Sequence, residues 1–187
     1  MTKRIILAVS GSISAYKSAD LTSKLKKKGY DIHVIMTEAA QAFITPLTLQ
    51  VLSKNPVHTD VMEEKLAEGI NHIDLAKETD LFIVAPASAN TIAKLAHGMA
   101  DNMLTATALA LPSTTPKLIA PAMNTKMYEN PLTKKNLKTL QEVGYQKILP
   151  KSGLLACGDT GRGALADIAV IIDSIDSALT RKGVYDE

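Results

Sequence analysis

The one cysteine of this chain, Cys157, stands in GLLACGDTGRGALAD (residues 153–167), between an apolar pair and a glycine-rich polar run. A lone cysteine commonly packs as a small hydrophobe. Gly158, Asp159, Thr160, Gly161 and Gly163 make poor core material, so Cys157 reads either as packing or as a thiol held on a movable loop. In the second case it is a usable acid, because a thiol ionises near ~8.5 and a serine hydroxyl far higher. Hydroxyls and amides cluster elsewhere. Gly11, Ser12 and Ser14 lie in SGSISAYK, Thr37 in MTEAAQAF, and Ser88, Asn90 and Thr91 in PASANT. Free backbone N–H groups and hydroxyls at the start of a helix make a phosphate site, and the same residues also serve as plain caps. Asn124 in PAMNTKMY could hold a carboxylate, while Met123 and Met127 beside it could be core filler. His72 in NHIDLAKETD has Asp74 two residues on, a spacing at which helical side chains do not face each other. Pattern alone leaves His72 unassigned. No cysteine–histidine combination has zinc-site spacing, so no metal is expected.

These groups need a scaffold. RIILAVS (4–10), DIHVIM (31–36), LFIVAPA (81–87), KLIAPAM (117–123) and YQKILP (145–150) read as strands. The near-continuous apolar character of the first, third and fourth suits parallel strands covered on both faces. Helical patterns lie between them at 15–28, 46–52, 88–96, 102–111 and 131–143, with a last helix over 164–180. Gly29 and Gly144 sit where C-terminal caps belong. The alternation predicts one α/β domain over 1–187, a Rossmann-like (flavodoxin-like) open parallel sheet with helices on both faces. Ligands of such sheets bind beyond the carboxyl ends of the strands. That rule selects SGSISAYK, MTEAAQAF, PASANT and PAMNTKMY, where a mononucleotide or flavin phosphate would be well served. The turn after the first strand is not G-x-G-x-x-G, so the dinucleotide fingerprint is absent.

Composition narrows the classes. With 187 residues, 46% hydrophobic and 21% charged, the chain can bury a sizeable core, and a net charge of +2 gives no reason to expect nucleic acid or a membrane as partner. One cysteine excludes an internal disulfide. The apolar run Ile5 to Val9 is too short for a secretory signal, and no stretch approaches the ~18 apolar residues of a membrane span. A cytoplasmic protein is expected.

Taken together and in order, GSISAYK, HIDLA, PASANTIAK, PAMNTKMY and LLACGDTGRG resemble the motifs of the flavin-containing cysteine decarboxylases, over nearly the whole chain. Two departures stand out. Tyr128 replaces the tryptophan of P-x-M-N-x-x-M-W, and Ala164 and Leu165 follow Gly163 where relatives often carry arginine and methionine.

The resemblance implies flavin mononucleotide (FMN) as cofactor, held by Gly11, Ser12, Ser14, Thr37, Ser88, Asn90 and Thr91. It implies decarboxylation of a cysteine carboxyl through a thioaldehyde and an enethiolate, with no net redox change. His72 would be the base for the substrate thiol, Asn124 the carboxylate holder and Cys157 the acid that completes reduction. Met123, Ala156, Gly158 and Asp159 would join Asn124 in substrate binding. It further implies a homotrimer with the flavin between subunits, possibly assembling into a dodecamer. With no room for a fused synthetase domain before Glu187, the expected substrate is phosphopantothenoylcysteine of coenzyme A biosynthesis. A peptidyl cysteine of lantibiotic type is the alternative. Phosphatase-regulating relatives rely on long acidic extensions, which the ending KGVYDE does not offer.

Overall fold

Apolar runs without polar interruption bury both faces of a strand, and this sheet is built on them. The computed structural model describes residues 2–62, 71–154 and 160–182. Strands β1 (Arg4–Val9), β2 (Asp31–Met36), β3 (Val57–His58), β4 (Leu81–Ala87), β5 (Lys117–Pro121) and β6 (Tyr145–Lys147) form one parallel sheet in the order β3-β2-β1-β4-β5-β6. Without the two-residue edge strand β3 the order is that of flavodoxin-like sheets, and with it that of dinucleotide-binding ones. The direction of winding reverses between β1 and β4.

Alternation along each strand divides the core in two. Ile5, Leu7, Val9, Ile83 and Ala85 meet one helical layer, while Ile6, Ala8, Phe82 and Val84 meet the other. The first layer is α1 (Ser18–Lys27), α2 (Glu38–Gln41), α3 (Pro46–Ser53) and α9 (Ile168–Lys182), contributing Leu21, Leu25, Ala40, Leu49, Ile171 and Ile175. The second is α4 (Asn71–Glu78), α5 (Ala89–Ala96), α6 (Met103–Ala110), α7 (Thr125–Glu129) and α8 (Pro131–Glu142), contributing Leu75, Ile92, Met103, Leu104, Tyr128, Leu137 and Leu140. The tryptophan-replacing Tyr128 is thus a core residue, and burial raises its phenol's pKa.

Gly29 and Gly144 close α1 and α8 at φ +90° and +93°, the left-handed cap expected of them. The structure departs from the sequence reading at the last helix, which starts at Ile168 and not at residue 164. Residues 160–164 instead form β8 (Thr160–Ala164), paired antiparallel with β7 (Lys151–Leu154) as a separate hairpin.

Candidate functional site

Each strand that enters the winding reversal ends in a polar turn, and one buried hydroxyl ties two of those turns together. Ser10, the residue after β1, is wholly buried. Its Oγ donates to Pro86 O and accepts from Ser88 N, both at 2.8 Å. The next residue must be small: a Cβ on Gly11 would lie 2.5 Å from the Ala39 Cβ, so glycine lets the first turn rest on α2. Ser12 caps the 3-10 helix Ile13–Lys17, its Oγ accepting from Ser14 N at 3.3 Å. Ser88 caps α5, accepting from Thr91 N at 3.2 Å. Asn124 caps α7, with Oδ1 accepting from Lys126 N at 2.8 Å.

Between these turns lies a cavity of about 510 Å³, a size suited to a cofactor. Its wall carries polar groups, from Ser12, Ser14, Lys17 and Ser88, and apolar ones, from Phe43, Met123 and Met127. Strand β8 closes a further side through Gly163 and Ala164. It reaches the loop after β5 because Met123 N donates to Gly163 O at 2.9 Å. Gly163 has φ +157°, and a Cβ there would fall 2.3 Å from Met123 O, so only glycine fits. Hydroxyls, a cation and helix starts lining the same cavity as apolar side chains can hold a ligand that joins a phosphate to a flat apolar ring.

Of the residues expected from sequence, Gly11, Ser12, Ser14, Ser88, Met123 and Asn124 line this one cavity. Thr37, Asn90 and Thr91 are not among the lining residues. Thr37 caps α2, accepting from Ala40 N at 3.3 Å. Asn90 is exposed on the first turn of α5, and Thr91 is buried, accepting from Ser88 Oγ. His72, the second residue of α4, is half-buried and does not line the cavity. Its Nδ1 is buried with no hydrogen-bond partner among the described residues. Ala156, Cys157, Gly158 and Asp159 lie outside the described residues.

Sequence reasoning passed over Ser10, Lys17 and Phe43. A serine closing an otherwise apolar strand was the available signal for Ser10, and the lysine of SGSISAYK the signal for Lys17. Met127 is 49% exposed at the cavity, so it is not core filler.

A larger hollow, about 830 Å³, lies at the opposite, amino-terminal edge of the sheet and includes Arg4, Asp31, Glu78 and Asp80. Its carboxylates are all taken up in ion pairs. Arg4 pairs with Asp31 (3.2 Å) and Glu78, and Lys3 with Asp80 (3.1 Å). Burial pushes the Asp31 carboxyl up, but hydrogen bonds from Asn55, His33 and Arg4 outweigh it and hold the pKa at about 2. This edge is a clasp, and the carboxyl-end cavity is the candidate site. No group of metal-ligating side chains is present among the described residues.

The chain is 63% identical over 179 residues to a probable phosphopantothenoylcysteine decarboxylase of Streptococcus mutans, spanning 96% of this chain and all of that one. It is 50% identical to the coenzyme A biosynthesis bifunctional protein of Bacillus subtilis over 88% of this chain, which corresponds to only 40% of that longer protein. Among solved structures, a cysteine-to-serine mutant of a PPC decarboxylase complexed with pantothenoylaminoethenethiol superposes with TM-score 0.87 at 34% identity, covering 95% of this chain and 98% of the other. The FMN-dependent cysteine decarboxylase SpaF does so with TM-score 0.84 at 32% identity, covering 97% of both. Residues 1–180 match the flavoprotein family, and the chain belongs to that family.

Proposed function

We propose that this protein is an FMN-dependent phosphopantothenoylcysteine decarboxylase of coenzyme A biosynthesis, yielding phosphopantetheine. The observation that carries the reading is the two-natured cavity at the winding reversal, lined both by hydroxyls and Lys17 and by the apolar Phe43, Met123 and Met127. The residues present fit a flavin. Ser12, Ser14, Lys17 and Ser88 would hold its phosphate, with Gly11, Thr37, Asn90 and Thr91 shaping the turns behind them, and the apolar side chains would cover its ring. When bound, the flavin would supply a reversible acceptor for one electron pair, so that a cysteine carboxyl can be lost with no net redox change.

The chain's own side chains handle protons and position. Asn124, its Oδ1 fixed by Lys126 N–H, would donate from Nδ2 to the substrate carboxylate. Met123, Ala156, Gly158 and Asp159 would complete the substrate's seat. His72 would take the thiol proton, and Cys157 would supply the last proton. His72 does not line the cavity of its own chain, which supports a homotrimer in which α4 of one subunit serves the cavity of another. The exposed apolar side chains at the cavity, Ile13, Tyr16, Phe43 and Met127, support the same assembly. Further assembly of trimers into a dodecamer and a cytoplasmic location complete the proposal. No helix among the described residues is long and apolar enough to cross a membrane.

Incubation of the purified protein with phosphopantothenoylcysteine tests it. Carbon dioxide and phosphopantetheine should form, and denaturation should release FMN. A colourless protein that cannot be reconstituted with FMN, or turnover confined to a peptide's C-terminal cysteine, would overturn the assignment.

A further inference from the structure

Two glycines two residues apart seat β8 on the loop after β5. A Cβ on Gly161 would meet Thr125 and one on Gly163 would meet Met123 O, so both glycines face this segment while Arg162 between them is exposed. The Gly163 contact is backbone on backbone, as the bond from Met123 N to Gly163 O requires. Gly161 differs, because what it meets is a side chain. A Cβ there would lie 2.5 Å from Thr125 Oγ1, 2.8 Å from its Cγ2 and 3.2 Å from its Cβ. Thr125 therefore occupies the space that a side chain on β8 would fill. Its Oγ1 is buried with no hydrogen-bond partner among the described residues, so the contact is one of shape and not of hydrogen bonding.

We infer that Thr125 is a positioning residue for the reaction: its Oγ1 and Cγ2 form the stop on which β8 rests at Gly161, and that stop sets how β8 stands over the loop carrying Met123 and Asn124. The inference rests on the decarboxylase reading above. Three facts join it to chemistry. Gly163 and Ala164 of β8 wall the cavity, Met123 and Asn124 of the neighbouring loop wall it too, and β8 starts three residues after Cys157 in the sequence. A strand lifted from its stop shifts both walls relative to each other.

Gly161→Ala, Thr125→Ala/Gly161→Ala and Thr125→Val, each loaded with FMN, test this with phosphopantothenoylcysteine as probe. The new methyl in Gly161→Ala lifts β8 by roughly 1 Å to reach ordinary contact, and a misplacement of that size costs on the order of tenfold to a hundredfold in rate. The loss should fall on kcat more than on KM, with unsaturated enethiol accumulating relative to aminothiol. The Met123 amide, which donates to Gly163, should exchange its hydrogen faster while FMN content stays unchanged. The double variant removes Oγ1 and Cγ2, leaves only the 3.2 Å contact, and should recover most of both losses. Thr125→Val keeps the shape and should keep the product ratio. Wild-type product ratio and Met123 exchange in Gly161→Ala would overturn the inference, as would a double variant with full FMN content and no recovery. A wild-type protein that releases no carbon dioxide would instead overturn the decarboxylase reading, and Met123 exchange would still decide whether Thr125 seats β8.

Discussion

Ser10→Ala removes one oxygen atom and should be felt at both ends of the site. Ser10 Oγ is the shared partner of Pro86 O and Ser88 N in a position with no solvent access. Pro86 O keeps a second donor, Ser10 N at 3.2 Å. Ser88 N has no other acceptor among the described residues. A lost hydrogen bond is worth about 1 kcal/mol, and the stranded donor belongs to Ser88, which is only half-buried on the cavity wall, so the variant should lose roughly 1–2 kcal/mol. For a chain of this size that is a fall in Tm of roughly 2–8 °C. Urea titration followed by circular dichroism measures it: the midpoint should drop while the slope stays constant, since the surface exposed on unfolding is the same. Because Ser88 both caps α5 and lines the cavity, FMN should also dissociate more readily from the variant. An unchanged midpoint together with unchanged FMN retention would refute the claim that Ser10 joins the two turns.

Asp31, held at about 2 against an ordinary 3.8, contributes stability that is complete above about pH 4 and is lost as pH falls toward 2, on the order of 2 kcal/mol in all. Asp31→Asn should lower stability at neutral pH and flatten the acid limb of the urea midpoint plotted against pH; a variant with the wild-type acid limb would contradict the clasp. Cys157→Ser should still release carbon dioxide yet accumulate an enethiol, one hydride and one proton short of the aminothiol, as mass spectrometry would show. Normal product at near-normal rate would return Cys157 to a packing role. His72→Asn should retain FMN and assembly but block substrate oxidation, so normal turnover would leave His72 without a catalytic use.

Legibility of the fold followed burial. LFIVAPA could be read as strand 81–87, as found, because both its faces meet helices and no polar residue interrupts it. KSGL and TGRGA could not: what makes them strands is their pairing and the seat on Met123 and Thr125, neither of which leaves an apolar pattern. The two-residue β3 and five-residue α7 are likewise fixed by their neighbours more than by propensity. At the site, serines after strands announced themselves through the capping rule. Phe43 did not, since one aromatic in a turn carries no period, and its place at the cavity comes only from the turn after β2 folding back toward Gly11.

The last helix has a bearing on how the chain is made. Ile171, Ile175 and Ala178 of α9 complete the core that begins with Ile5 and Leu7, and Tyr30 hydrogen-bonds Asp176 across 146 residues of sequence. Lys28 adds an ion pair to the same carboxylate. During synthesis from the ribosome, one side of the central strands therefore stays incompletely covered until residues near 178 have emerged. The nascent chain carries an exposed aliphatic surface through most of its elongation, an aggregation hazard that persists in any version cut short before Ile168.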